Sequence, residues 1–308
     1  MSSASVQSRG SAAVTGAGSG LGRDIALGLA AMNYRVFGTA LSAEEVADLK
    51  QASNGTVTLT VCDMTDEAAV KSWAREVESR TEGLDLLINN AGILTPGPLE
   101  ALLLGAIRRE FEVNVFGALS VINAFLPALR KTRGRIVQVS TWTASLPLPF
   151  NGPSGASKAA MEAFAAVYRA ELKPFGIDVA VAAAGNMKTG GPAKTAAALK
   201  RIAASMTPEQ QRLYGPTFGM FADKLNSMQE SGLDSAAAAR RVIEIAEQIP
   251  APSKAGVGPD AEEILRFVRE HSDAERTHVA FKSLACSKLV RSPERYRSHR
   301  DGNLKERS

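Results

Sequence analysis

Two kinds of apolar pattern take turns along this chain. Short, nearly continuous apolar runs predict strands buried on both faces, and longer stretches with apolar positions three or four apart predict helices. The first run, Ala12-Ala13-Val14, passes through a glycine cluster into an amphipathic stretch from Leu21 to Met32. Arg35 to Ala40 reads as the second strand. Ser42 then caps a helix with Glu45 three residues on, the spacing of a capping box. Thr56 to Val61 gives the third strand, and Asp66 to Arg80 a helix with Ala69, Val70, Trp73 and Val77 on its apolar side. The fourth strand, Leu84 to Ile88, precedes a long helical region from about Glu100 to Lys131. Arg135 to Val139, a helix over Ser157 to Lys173, and Asp178 to Ala183 carry the alternation through a sixth strand. From Asn186 to Gly232 it breaks into a polar helical insertion bearing Met and Pro. A helix over Ser235 to Gln248, a short strand at Val257-Gly258 and a helix from Asp260 to Glu270 follow.

Strands without polar alternation, separated by helices, predict an α/β fold: a doubly wound parallel sheet with helices on both faces. The expected organisation is a polar, disordered stretch over 1–9, one domain over 10–285, and a disordered tail over 286–308. In open α/β sheets ligands sit beyond the carboxyl ends of the strands. The insertion over 186–232 emerges from such an end and is expected to form a lid over the substrate.

The first turn carries the clearest chemistry. Gly16, Gly18, Gly20 and Gly22 stand between a strand and a helix, the order that a dinucleotide pyrophosphate needs. Glycines let the backbone approach the phosphates, and the helix then aims its free N–H groups and positive dipole end at the anion. A Rossmann-type site for NAD or NADP is the expectation.

Composition narrows the picture in two places. The net charge of +4 sits wholly in the residues after Cys286, where seven Lys or Arg face three acids, so the body is neutral. That leaves no basic stripe for nucleic acid. No apolar run approaches the roughly 18 residues of a membrane span, and the serine-rich Met1 to Arg9 is no secretory signal. Cys62 and Cys286 lie far apart without metal-ligand spacing, so no metal is expected. Cys62 reads as a buried small hydrophobe, and a reduced, cytoplasmic protein fits best. His271, His278 and His299 fall where no motif places them near a site and read as surface residues.

The turn Thr15-Gly-Ala-Gly-Ser-Gly-Leu-Gly22 resembles the TGxxxGxG turn of the short-chain dehydrogenases/reductases. Asp63, Asn89-Asn90-Ala91-Gly92, Asn114-Val115-Phe116-Gly117, Ser140-Thr141 and Gly152 to Lys158 resemble further elements of that family, in order, over about residues 10 to 190. The resemblance implies an NAD(P)-dependent oxidoreductase moving hydride to or from a hydroxyl or carbonyl carbon. It implies cofactor contacts from Thr15, Gly16, Gly18, Ser19, Gly20, Leu21, Gly22, Asp63, Met64, Asn90, Ala91, Gly92, Lys158, Gly185 and Thr189, with Asp63 at the adenine. It implies catalytic roles for Asn114, Ser140 or Thr141, the residue at 154, and Lys158, and pairing into homodimers or homotetramers through the long helices after the fourth and fifth strands. The region around Met206 to Gly215 looks like the retinol and 17β-hydroxysteroid dehydrogenase branch. That implies a bulky, apolar alcohol or ketone as substrate. Trp142 reads as a residue of the substrate pocket or of the core, and Tyr214 as one that packs the insertion or reaches into the pocket.

One position departs from the pattern. The family's site is Tyr-x-x-x-Lys; here Lys158 is present and Ser154 stands in the tyrosine position. A serine hydroxyl is a poor general acid, and its oxygen ends roughly 4 Å nearer the backbone than a tyrosine oxygen. Three functions therefore compete: a redox enzyme whose proton comes from water or Tyr214, a non-redox isomerase, lyase or cyclase on the same scaffold, and a catalytically silent NAD(P)-binding protein. The second strand ends at Ala40 without an acid to select NAD, and Arg23 is the nearest cation for a 2′-phosphate. NAD and NADP both remain open at this point.

Overall fold

The computed structural model describes residues 8–188 and 191–284, and side chains for these except 191–194, 277 and 280–284. Seven parallel strands form the central sheet in the order β3-β2-β1-β4-β5-β6-β9. They are β1 (Gly10–Val14), β2 (Tyr34–Ala40), β3 (Val57–Val61), β4 (Leu86–Asn89), β5 (Arg135–Thr141), β6 (Asp178–Ala184) and β9 (Lys254–Val257). The expected doubly wound α/β fold is present. One apolar layer packs α1 (Gly20–Ala31), α2 (Ala43–Ala52) and α9 (Ser235–Glu247) on the sheet through Ile25, Leu29, Leu49 and Val242. The opposite layer packs α3 (Glu67–Ser79), α5 (Ala118–Thr132) and α6 (Gly152–Leu172) through Trp73, Phe125 and Met161. Strand order reverses between β1 and β4, which opens a crevice beyond their carboxyl ends.

Several elements differ from their sequence reading. The helix α6 begins at Gly152, five residues before Ser157, with Pro153 in its first turn. Proline in a first helical turn costs no hydrogen bond and presets φ, so the helix can start this early. The capping box at Ser42 is half formed. Ser42 Oγ accepts from the Glu45 N–H at 3.3 Å, but the Glu45 carboxylate accepts from Leu41 N–H rather than from Ser42 N–H. The long helix after β4 is α4 (Leu104–Phe111) joined to α5 by a π-helical turn over Glu112–Gly117. That stretch, Leu104–Thr132, does contain an 18-residue window with mean hydropathy 1.5, long and apolar enough to span a bilayer. In this fold its apolar side is spent on the core, with Val121, Ile122, Phe125 and Leu129 all buried.

The insertion holds α7 (Gly191–Ser205) and α8 (Pro208–Glu230), flanked by the two-stranded pair β7 (Met187–Lys188) and β8 (Leu233–Asp234). Phe218 and Phe221 of α8 and Leu199 of α7 give the lid its own small core. After β9 come α10 (Pro259–Glu270) and α11 (Asp273–Leu284); the sequence reading had placed no helix at the latter. The expectations for residues 1–7 and for the basic tail fall outside the described residues.

Candidate active site

The glycine turn is fixed from both sides. Thr15 Oγ1 accepts from the backbone N–H groups of Asn90 and Ala91, both at 2.9 Å, and Asn90 Nδ2 donates to Thr15 O at 3.1 Å. Thr39 Oγ1, on the neighbouring β2, accepts from Gly16 N–H at 3.0 Å. Gly16 holds a φ of +64°, which glycine adopts without strain. Gly22 is needed for space, since a Cβ there would lie 2.2 Å from Gly16 O. Ser19 caps α1 without a side-chain hydrogen bond, and the first turn carries no acid. The helix N-terminus is therefore left to an external anion, and the turn fits a dinucleotide pyrophosphate.

Two cavities sharing Asn90, Gly92, Ile93 and Leu94 form one cleft over this turn. The larger, about 570 Å³, includes Gly16, Gly18, Ser19, Asp63, Met64 and Ala91 in its wall. Asp63 is already engaged there. Its Oδ1 accepts from Thr65 N–H at 2.9 Å, and Arg109 pairs with Oδ2 at 3.0 Å. Those bonds, Thr65 N–H foremost, hold its carboxyl below the usual range. The smaller cavity, about 350 Å³, is bounded by Leu21, Thr141, Trp142, Ser154, Lys158 and Gly185, with Phe221, Leu225 and Met228 of the lid opposite.

Asn114 sits in the π-helical turn and locks three elements together. Its Oδ1 accepts from Ile93 N–H at 2.8 Å; its Nδ2 donates to Ile93 O and Ser157 Oγ, both at 3.0 Å. Lys158, one turn after Ser154 on α6, donates to Val139 O at 3.1 Å. The residue keeps some exposure to the cleft, but burial of its ammonium pushes it down to about 8. Glu110, four residues before Asn114, is fully buried and accepts from Thr95 N–H at 2.8 Å. Burial pushes its carboxyl up to about 7, against the pull of the Thr95 hydrogen bond and the Lys158 charge. The arrangement brings a buried acid, an amide and a softened ammonium together behind a cavity that abuts a pyrophosphate cradle.

The short chain dehydrogenase family pattern matches residues 11–200, well over half of the chain. The chain belongs to this family. An uncharacterized oxidoreductase of Bacillus subtilis, YusZ, is 37% identical over 184 residues, which cover 58% of this chain and 65% of the Bacillus protein. An NADPH-dependent 3-dehydrocapnine reductase of Ornithobacterium rhinotracheale is 29% identical over 242 residues, covering 76% of this chain and 82% of that one. A short chain dehydrogenase of Burkholderia cenocepacia, solved with NADP, superposes with a TM-score of 0.67 at 27% identity. It covers 88% of this chain and 97% of its own. Members of the family bind NAD(P), and the cradle above fits that cofactor.

Within this short-chain dehydrogenase, two expected site residues, Ser140 and Tyr214, are placed differently from their sequence reading. Ser140 adjoins the cleft, but its buried hydroxyl donates to Glu162 at 2.7 Å, whereas Thr141 Oγ1, also in the cleft wall, accepts from Thr143 N–H at 3.4 Å. Successive residues of a strand point to opposite faces, and β5 turns Ser140 inward. Tyr214 is outside the pocket: it packs on the lid's own core, and its hydroxyl donates to Glu100. Trp142 both borders the cleft and packs on Leu146 and Ala261, so it serves pocket and core at once. Thr189 lies outside the described residues. Cys62 is buried as expected, and burial pushes its thiol up to about 11. Among the described residues no cluster of His, Cys, Asp or Glu is placed to hold a metal.

Sequence reading missed Glu110 and Glu162. Both lie four residues from a site residue, Asn114 and Lys158, so helical spacing put each one turn away. Nothing in the sequence said that either carboxylate would turn inward.

Proposed function

We propose that this chain is an NAD(P)-dependent oxidoreductase acting on a hydroxyl or carbonyl of an apolar substrate, through a site in which Ser154 replaces the family's tyrosine. The observation that carries this reading is the convergence of Thr141, Ser154 and Lys158 on one cavity continuous with the glycine turn. When bound, the nicotinamide supplies or accepts the hydride. Thr15, Gly16, Ser19 and Asn90 would hold the cofactor's phosphates and ribose side, and Lys158 its nicotinamide ribose. Thr141 Oγ1 orients the substrate oxygen by a hydrogen bond. Ser154 leaves room between its hydroxyl and that oxygen, and a water there, polarised by Lys158, passes the proton. Ile93, Leu94, Leu148, Phe221 and Leu225 exclude bulk solvent and favour an apolar substrate.

The family's usual pairing fits an exposed apolar strip. Phe116, in the π-helical turn that leads into α5, and Phe164 and Val167 of α6 stand 56%, 42% and 52% exposed, on or next to the two helices expected to pair. A homodimer through this strip is part of the proposal.

The decisive experiment titrates NADH and NADPH by fluorescence and assays apolar ketones and alcohols with wild type and Ser154→Tyr. Turnover in both forms, faster in Ser154→Tyr by roughly 10²–10⁴-fold, is the expected result. Binding without turnover in wild type, rescued by the tyrosine, would mean that the proton donor has been lost and the chain is a silent NAD(P)-binding protein. Binding with no redox turnover in either form would overturn the oxidoreductase reading for the substrates assayed.

A further inference from the structure

The second strand ends without an acid. Ala40 and Leu41 hold the positions, and Leu41 is 72% exposed. The fold brings a carboxylate there from another element. Glu45, in the first turn of α2, folds back so that its Oε2 accepts from Leu41 N–H at 3.0 Å. The same oxygen lies against the glycine turn, since a Cβ on Gly18 would stand 2.4 Å from it. Glu45 thus shares the adenine-side cavity wall with Gly18, Ser19, Ala40 and Leu41. In dinucleotide folds of this class, the ribose 2′-hydroxyl is read by a carboxylate about 20 residues beyond the glycine turn. Leu41 N–H uses one lone pair of Oε2, and the remaining acceptor sites of the carboxylate stay available.

We propose that Glu45 selects the cofactor: its carboxylate accepts from the adenosine ribose hydroxyls of NAD(H) and repels the 2′-phosphate of NADP(H). The proposal rests on the reading of this cleft as an NAD(P) site. It sets the chain apart from the Ornithobacterium reductase, which is NADPH-dependent, and from the Burkholderia structure, which holds NADP. The surrounding charges support it. Residues 40–46 contain no cation. Arg23, next to the glycine turn, is paired with Asp48, and Arg109 with Asp63. Arg201 of α7 also borders the cavity and is the cation that a 2′-phosphate would have to recruit. A second anionic group beside an uncompensated carboxylate is disfavoured most at low salt.

The test measures dissociation constants of the cofactor-free protein for NADH and NADPH by fluorescence, at fixed ionic strength. Wild type, Glu45→Gln, Leu41→Arg/Glu45→Gln and Arg201→Ala are compared, with thermal unfolding as the check that each variant folds. The expected result is at least tenfold tighter NADH binding by wild type. Glu45→Gln should bring the ratio close to one, and Leu41→Arg/Glu45→Gln should invert it. Wild type binding both alike, or NADPH tighter, overturns the proposal and leaves the NAD(P) site standing. A ratio unchanged in folded Glu45→Gln, or one that moves only in Arg201→Ala, overturns it too. Binding of neither nucleotide removes the cofactor reading itself, and the proposal with it.

Discussion

Glu110 shows how a single residue ties the site to the pH at which the fold is most stable. Its carboxyl titrates near 4.5 when free and at about 7 in the folded chain, where burial disfavours the charge. Between those values the folded chain keeps a proton that the unfolded chain has released. Its contribution is therefore complete below about 4.5 and is lost as the pH rises through 7. At 1.36 kcal/mol per unit the swing is on the order of 3 kcal/mol. Lys158 works in the opposite sense. Its ammonium is pushed from 10.5 down to about 8, so its contribution is present above 10.5 and is lost as the pH falls through 8. Glu110→Gln keeps an acceptor for Thr95 N–H and removes the acid limb. The Tm of this variant, relative to wild type, should rise steadily from pH 4.5 to 7. A constant difference across that range would mean that Glu110 does not titrate where its burial places it.

At the scale of elements, the turn between β1 and α1 tolerates least. Gly22→Ala puts a methyl 2.2 Å from Gly16 O and 2.5 Å from Asn90 Nδ2. The helix must back away from the turn, at a cost of about 1–3 kcal/mol, and its N–H groups leave the phosphate position. NADH binding should weaken at least tenfold. The cap of α3 provides the contrast. Asp66 Oδ1 accepts from Ala68 and Ala69 N–H at 2.9 and 3.0 Å, so Asp66→Ala should cost about 1 kcal/mol of stability and leave NADH affinity unchanged. Denaturant unfolding with fluorescence titration measures both, and equal effects on binding would mean that the turn's geometry is not what holds the nucleotide. The same two turns mark what the sequence makes legible. Apolar runs, cap residues and glycine spacing are local signals, so the alternation of strands and helices, the doubly wound parallel sheet and the place of the glycine turn between β1 and α1 were all readable in advance. The inward rotation of Ser140 toward Glu162, the engagement of Asp63 by Arg109 and the fold-back of Glu45 depend on rotamers chosen by packing between distant segments. No period or motif encodes those. Glu45 is the instructive case: the spacing from Ser42 correctly placed it at the start of α2, but its side chain serves the neighbouring turn instead of the cap.

At the scale of the whole molecule, α5 and α6 have two jobs. Their inner faces carry Phe125, Leu129, Met161 and Ala165 into the core, while the turn before α5 leaves Phe116, and the outer face of α6 leaves Phe164 and Val167, in solvent. An isologous dimer would bury each of those side chains twice, once per copy. Full burial of an apolar side chain is worth about 1.5–3 kcal/mol, so side chains about half exposed, counted twice, contribute about 1.5–3 kcal/mol per position. Phe164→Asp with Val167→Asp should therefore raise the dissociation constant of a dimer by roughly a thousandfold or more, given tenfold per 1.4 kcal/mol. Both positions face away from the cleft, so NADH binding by the separated chains should stay near that of wild type. Analytical ultracentrifugation over a concentration series reads the mass against the 32.5 kDa of one chain. A variant that keeps the wild-type mass places the association surface elsewhere. A dissociated variant that also loses NADH would mean that the pairing helices hold Asn114 and Lys158 in place, through the π-helical turn that joins α4 to α5.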